Sequence, residues 1–295
     1  MDGLARKFGI VAGAIALGMV LALIGHIPKN IIFLANLRHW PEVPWLILPT
    51  GIYLWAYWRY LGGSWGPRST AEFRRRSMRA QPLPPRLWYW SMIAGVLGII
   101  ALILVLRVAN RVVMLPEQEF FDVSQASTTT VFAIIVIGAI VAGIVEESAF
   151  RGYMQGPIEE AFGIIPAVLV TGIMFAVAHL GLTPVLVPYY VAVAALYGTI
   201  AWLTRSILPT IVLHTGGNIF SSTYLWLTGH AEWQRAKGHE KLIWQTGTDG
   251  EFWLAVAFSL VGLASALWAY ARLAHESRLL IEPCLIDKDS SNQVS

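Results

Sequence analysis

Charge is what this 295-residue chain has little of. Only 13% of its residues are Asp, Glu, Lys or Arg, against about 25% in a soluble domain. Mean hydropathy is +0.59, and 56% of residues are hydrophobic. A soluble globule is thereby excluded. Cysteine is nearly absent too. The one cysteine, Cys284, lies in the polar C-terminal stretch, which rules out an intrachain disulfide and a cysteine metal cluster. The net charge of +3 is no nucleic-acid signal, because the positive charge is gathered in one loop. No internal repeat of a transporter type is visible. There is no H-E-x-x-H and no serine nucleophile motif.

What is present is a series of apolar runs. Eight are long enough to read as spans of about 20 residues, the length that crosses about 30 Å of hydrocarbon. Their approximate limits are 8–27, 43–61, 87–107, 130–153, 163–181, 185–203, 207–228 and 252–272. The fold class is therefore all-α, a polytopic membrane helix bundle. The first run follows Arg6 and Lys7 and competes with a signal peptide. It is long for a signal and lacks a small-residue cleavage pattern, so it reads as a retained span. Short links, Gly181-Leu182-Thr183-Pro184 and Thr204-Arg205-Ser206, make the fifth, sixth and seventh spans antiparallel neighbours. Three regions follow: 1–110, N-terminal spans with a basic loop; 125–228, a core of four spans; and 229–295, a last loop, a last span and a polar tail.

Orientation follows from the loop after the second span. It holds Arg59, Arg68, Arg74, Arg75, Arg76, Arg79 and Arg86 against Glu72 alone. Positive loops stay in the cytoplasm, so both termini are expected there. Loop 107–129, with Glu117, Glu119 and Asp122, is expected outside. Residues 69–79 read as a solvated basic loop, or as a surface helix on anionic headgroups.

Polar groups inside spans are the functional candidates, because an acidic or basic residue costs about 2.5 to 3.5 kcal/mol at mid-helix. Three clusters qualify: Glu146, Glu147 and Arg151; Phe175 with His179; His214 with Asn218. Glu147 and Arg151 are i,i+4 and can pair on one face. Glu146 points about 100° away from Glu147 and is left free for chemistry. Glu146 and His179 are equidistant in sequence from a hairpin tip at Phe162-Gly163, so two antiparallel helices bring them to one depth. Gly216 and Gly217 are expected to let another backbone approach. The remaining histidines, His26, His39, His230, His239 and His275, read as span ends or loops. Taken singly, each cluster has a structural explanation: a buried ion pair, an interfacial histidine, an interhelical hydrogen bond. Taken together, a carboxylate, two imidazoles and an amide at matched depth suit water-mediated hydrolysis and oxyanion stabilisation.

Glu146-Glu147-Ser148-Ala149-Phe150-Arg151 fits E-E-x-x-x-R, Phe175 to His179 fits F-x-x-x-H, and His214 to Asn218 fits H-x-x-x-N. In this order on successive spans, about residues 130–225 resemble the CAAX-protease and bacteriocin-processing family, the group of the type II CAAX prenyl endopeptidases. The resemblance implies an intramembrane endopeptidase of a bacterial inner membrane acting on a peptide or lipidated peptide, with the bilayer as its other partner and no nucleic acid. It implies Glu146 as general base, His179 as its partner, His214 and Asn218 as oxyanion donors, and Glu147, Arg151 and Phe175 in support. It further implies a cavity open to the cytoplasm. The family's metalloprotease label leaves zinc open, with His179, His214 and Glu146 as ligands. The residues favour no tightly bound metal. A non-catalytic peptide-binding or bacteriocin-immunity protein, or a transporter with a proton relay, are the alternative readings.

Overall fold

In hydrocarbon the backbone must satisfy its own polar groups, so apolar runs become helices. A computed structural model of the chain describes residues 3–115, 117–118, 120–179, 184–234 and 242–292, and they are helical throughout except for short links. The elements are α1 (Gly3–His39), α2 (Ile47–Leu61), α3 (Ala71–Met78), α4 (Pro85–Val112), α5 (Thr128–Glu146), a π-helical segment (Glu147–Met154), α6 (Gln155–Phe162), α7 (Ile164–Ala178), α8 (Val187–Thr204), α9 (Leu208–Thr228), α10 (Ile243–Thr246) and α11 (Gly250–Asn292), with single 3-10 turns at Arg68–Thr70 and Pro184–Leu186. Residues 181–183 of the expected link, with Glu119 and His239, lie outside the described residues.

Each of the eight apolar runs forms a helix. Five stretches are long and apolar enough to cross a membrane: Gly3–His39, Pro85–Val112, Thr128–Phe162, Val187–Thr204 and Gly250–Leu280. Helices α2 and α7 have only 15 residues each, and α9 carries His214, Asn218 and a run of hydroxyls. The eight runs are thus not eight equivalent spans. The first runs on to His39 with Pro28 inside it. The last continues as helix through the polar stretch to Asn292.

Local chemistry fixes the ends. Ser127 caps α5 by accepting from the Thr130 amide at 3.2 Å, and its hydroxyl donates to the Glu42 carbonyl, tying α5 to the link between α1 and α2. The turn between α6 and α7 falls at Gly163, with φ +84° and ψ 178°, a region open essentially to glycine alone. The hairpin tip expected at Phe162-Gly163 is there.

The arginine-rich loop seals one end of the bundle. Arg79 donates to Glu159 at 3.0 Å and to the Ala201 carbonyl at 3.2 Å. Arg205 reaches the other oxygen of Glu159 at 2.7 Å. The Ile207 amide bonds the Arg79 carbonyl, and Ser206 bonds that of Gln81. Within this loop, α3 docks rather than floats: Arg74 and Met78 are buried, and the Arg74 guanidinium lies 4.4 Å from the Tyr60 ring centre. The core lies around α5 and the π segment, with α1, α7, α8 and α9 around them and α11 packed along α4.

Candidate active site

The polar cluster sits where α5 widens. After Glu146 the helix adopts i→i+5 pairing through Met154. Such π segments are rare and frequently found at functional sites. All eight of its residues are buried. Glu147 Oε1 lies 3.0 Å from Arg151 Nη1, both side chains at 1% exposure or less. The Arg151 guanidinium is also held between aromatic rings, 4.9 Å from Phe175 and 5.5 Å from Tyr197. Phe175 therefore walls in the cation, and Phe150 meets it edge-on at 5.2 Å.

Close helix contacts bring in the rest. A Cβ on Gly143 would sit 2.2 Å from the Thr215 hydroxyl and 3.0 Å from the Ile211 carbonyl, so only glycine lets α9 lie this near α5. That approach carries His214 to Glu147: Nδ1 to Oε1 is 2.8 Å. The sequence had placed the close approach at Gly216 and Gly217. It occurs instead one turn away, across Gly143, and neither Gly216 nor Gly217 meets a backbone. On the other flank, Gly25 of α1 packs on Val145, where a Cβ would come within 2.3 Å of its side chain. The next residue, His26, thereby places Nε2 at 3.0 Å from Glu146 Oε1.

Glu146 is thus held by two imidazoles. Its Oε1 bonds His26, and its Oε2 lies 3.7 Å from His214 Nε2. Oε2 makes no hydrogen bond with a protein group. His179, the partner expected from the depth argument, makes no ion pair with Glu146 among the described residues. Its Nδ1 faces the Phe175 carbonyl at 2.7 Å and its ring stacks on Tyr190 at 4.6 Å. His179 does line the same cavity as Glu146, His214 and Asn218, a space of about 220 Å³ bounded also by Tyr189, Tyr190, Tyr197 and Glu232.

The acceptors settle both histidine tautomers. A carbonyl and a carboxylate can only accept, so Nδ1 carries the proton in His179 and in His214. His214 can then donate from Nε2 only as imidazolium. Metal ligation fits less well. No three His, Cys, Asp or Glu side chains among the described residues are arranged to hold an ion, the set His179, His214 and Glu146 included.

His26 escaped the sequence reading because Pro28-Lys29-Asn30 looked like the end of the first span. The helix runs through the proline, which leaves His26 well inside α1. The cavity's lining draws on Gln118, Glu232 and Trp233, from the connections after α4 and α9, at the end away from the arginine-rich loop.

The model of the family described as Type II CAAX prenyl endopeptidase Rce1-like matches residues 128–220, which contain all three motifs but neither His26 nor Glu232. No curated protein and no solved structure matches the chain. Sequence motifs, helical bundle and family match agree: the Rce1-like match at residues 128–220 supports a protein of the family of type II CAAX prenyl endopeptidases.

Proposed function

We propose that the chain is an intramembrane endopeptidase in which Glu146 activates water against a peptide bond. One observation carries this reading: Glu146, His179, His214 and Asn218 line a single cavity, and Glu146 Oε2, unbonded to protein, lies 3.7 Å from His214 Nε2. In the reaction, Glu146 Oε2 takes a proton from water as the hydroxide attacks the carbonyl carbon. His214 Nε2–H and the Asn218 amide donate to the developing oxyanion. Glu146 returns the proton to the leaving amine as the C–N bond breaks. His26 holds the far oxygen of Glu146 and so aims Oε2. Glu147 accepts from His214 Nδ1–H and so orients the ring, and Arg151 compensates the second carboxylate. His179, backed by Phe175 and Tyr190, presents Nε2 to the cavity as a second site for water or product amine. No step requires a metal ion.

The substrate is a membrane-associated or lipidated peptide. An apolar groove of about 440 Å³ between α1, α5 and α9, lined by Phe33, Leu34, Leu37, Ile134 and Ile135, shares Asn218 with the cavity. Apolar substrate can lie there beside the oxyanion site. With the arginine loop in the cytoplasm of a bacterial inner membrane, both termini are cytoplasmic and the peptide arrives from the extracytoplasmic half of the bilayer. The test is hydrolysis of a fluorogenic peptide library by purified protein, with Glu146→Gln alongside. Turnover that vanishes in the variant supports the reading; turnover retained by the variant sinks it.

A further inference from the structure

Helix α9 ends at Gly229 in a left-handed turn, φ +76°. The chain then folds back, with Ala231, Glu232, Trp233 and Gln234 all buried. Two N–H groups of Arg107 clamp this segment by donating to the Glu232 carbonyl at 3.2 and 3.0 Å. The clamp leaves the Glu232 side chain lining the same cavity as Glu146. Glu232 is 5% exposed, and its Oε2 accepts from the Ser221 hydroxyl at 3.0 Å. Among the described residues no Lys, Arg or His pairs with its carboxylate. Arg107 is committed to the backbone.

A buried carboxylate without a counter-charge is costly. The cost is retained here at the wall of a reaction cavity. Glu232 thus adds a second carboxylate, beside Glu146, to the cavity wall. Its neighbours suit a cation as well. Tyr189 and Trp233 line the cavity with ring centres 5.8 Å apart, and aromatic faces attract ammonium and guanidinium groups.

We propose that Glu232, flanked by Ser221, Tyr189 and Trp233, is a specificity subsite that binds a cationic group of the peptide substrate and sets which bond lies over Glu146. The cation is an ammonium or guanidinium, from a Lys or Arg side chain or from a free amino terminus. Glu232 lies outside the family match at 128–220, so this preference belongs to the chain and not to the domain. The word substrate rests on the proteolytic reading; the binding does not.

The experiment uses full-length protein in nanodiscs and fluorescent apolar peptides that differ at one position, Lys, Arg, Gln or Glu. Each peptide is made with a free and with an acetylated amino terminus. Binding is measured by anisotropy on the Glu146→Gln protein, which keeps the cavity and cannot use its base. Lys and Arg peptides, or free amino termini, should bind at least about tenfold more tightly than their neutral counterparts, a difference of about 1.4 kcal/mol, as expected when a desolvated charge pair is formed. Adding Glu232→Gln should erase that preference, and Glu232→Lys should turn it toward the Glu peptide. The acetylated arm tells which source supplies the cation. Equal binding of cationic and neutral peptides, acetylated and free, overturns the inference, whether or not the Glu232 variants fold. So does a preference that survives Glu232→Gln. Hydrolysis by the wild-type protein without cation preference defeats this subsite and leaves the protease reading standing. Cation-selective binding without hydrolysis does the reverse.

Discussion

Replacing Glu147 by glutamine keeps the side chain's shape and removes its charge. In the folded chain that charge faces two groups at once: Arg151 Nη1 at 3.0 Å and His214 Nδ1 at 2.8 Å. Glu147 has no exposure and Arg151 has 1%, so water cannot take over either contact. Breaking one partner of such a pair costs about 3–5 kcal/mol, because the other charge is left buried. The ring faces of Phe175 and Tyr197 around Arg151 recover only about 1–2 kcal/mol of attraction and are already present in the wild type. Typical stabilities are about 5–15 kcal/mol, so Glu147→Gln should purify in low yield and lose several kcal/mol in denaturant titration. Glu146→Gln should behave otherwise. Its residue lines the cavity, the amide oxygen can still accept from His26, and the stability change should stay near that of one hydrogen bond, about 1 kcal/mol. Its catalytic loss should be about 100-fold or more, the contribution of a general base. The assay is paired, with unfolding and peptide turnover measured on both variants in one detergent. Glu147→Gln as stable as wild type, or Glu146→Gln the less stable of the two, would refute the division between a supporting and a reacting carboxylate.

Further outcomes follow from the same geometry. His26→Ala should lower turnover about tenfold or more, the worth of a hydrogen bond to a charged group, while leaving the fold intact; unchanged turnover would remove His26 from the site. Gly143→Val should push α9 from α5 and part His214 from Glu147. We expect a loss of about 1–3 kcal/mol from overpacking and a far larger loss of activity, read by the same two measurements; an active, stable variant would show that the contact is not needed. Elemental analysis of active protein should find no stoichiometric zinc, and chelation should leave turnover unchanged. Zinc that leaves and returns together with activity would overturn the metal-free mechanism. Single cysteines placed at Gln118 and at Arg68, in a background lacking Cys284, should react with an impermeant reagent from the extracytoplasmic side only at position 118. Labelling of position 68 from that side would invert the orientation and restore a cavity facing the cytoplasm.

Composition and run length alone made this a helical membrane chain, because hydrocarbon tolerates no unpaired backbone and every long apolar run has one solution. Spacing alone also paired Glu147 with Arg151 and put the hairpin tip at Gly163, since both are consequences of helical rise and of one residue's backbone freedom. The ordered motifs at Glu146, His179 and His214 pointed to the cavity they share. Tertiary structure decided the partners. Glu146 met His26 and His214 rather than His179, because Gly25 and Gly143 set how near α1 and α9 lie to α5, and interhelical distance has no signature in any single run. The π segment changed the direction of each side chain from Glu147 to Met154, a phase shift that apolar periodicity does not encode. Glu232, in the link after α9, belongs to no motif. Only the clamp from Arg107, 125 residues earlier in the chain, turns it into the cavity wall.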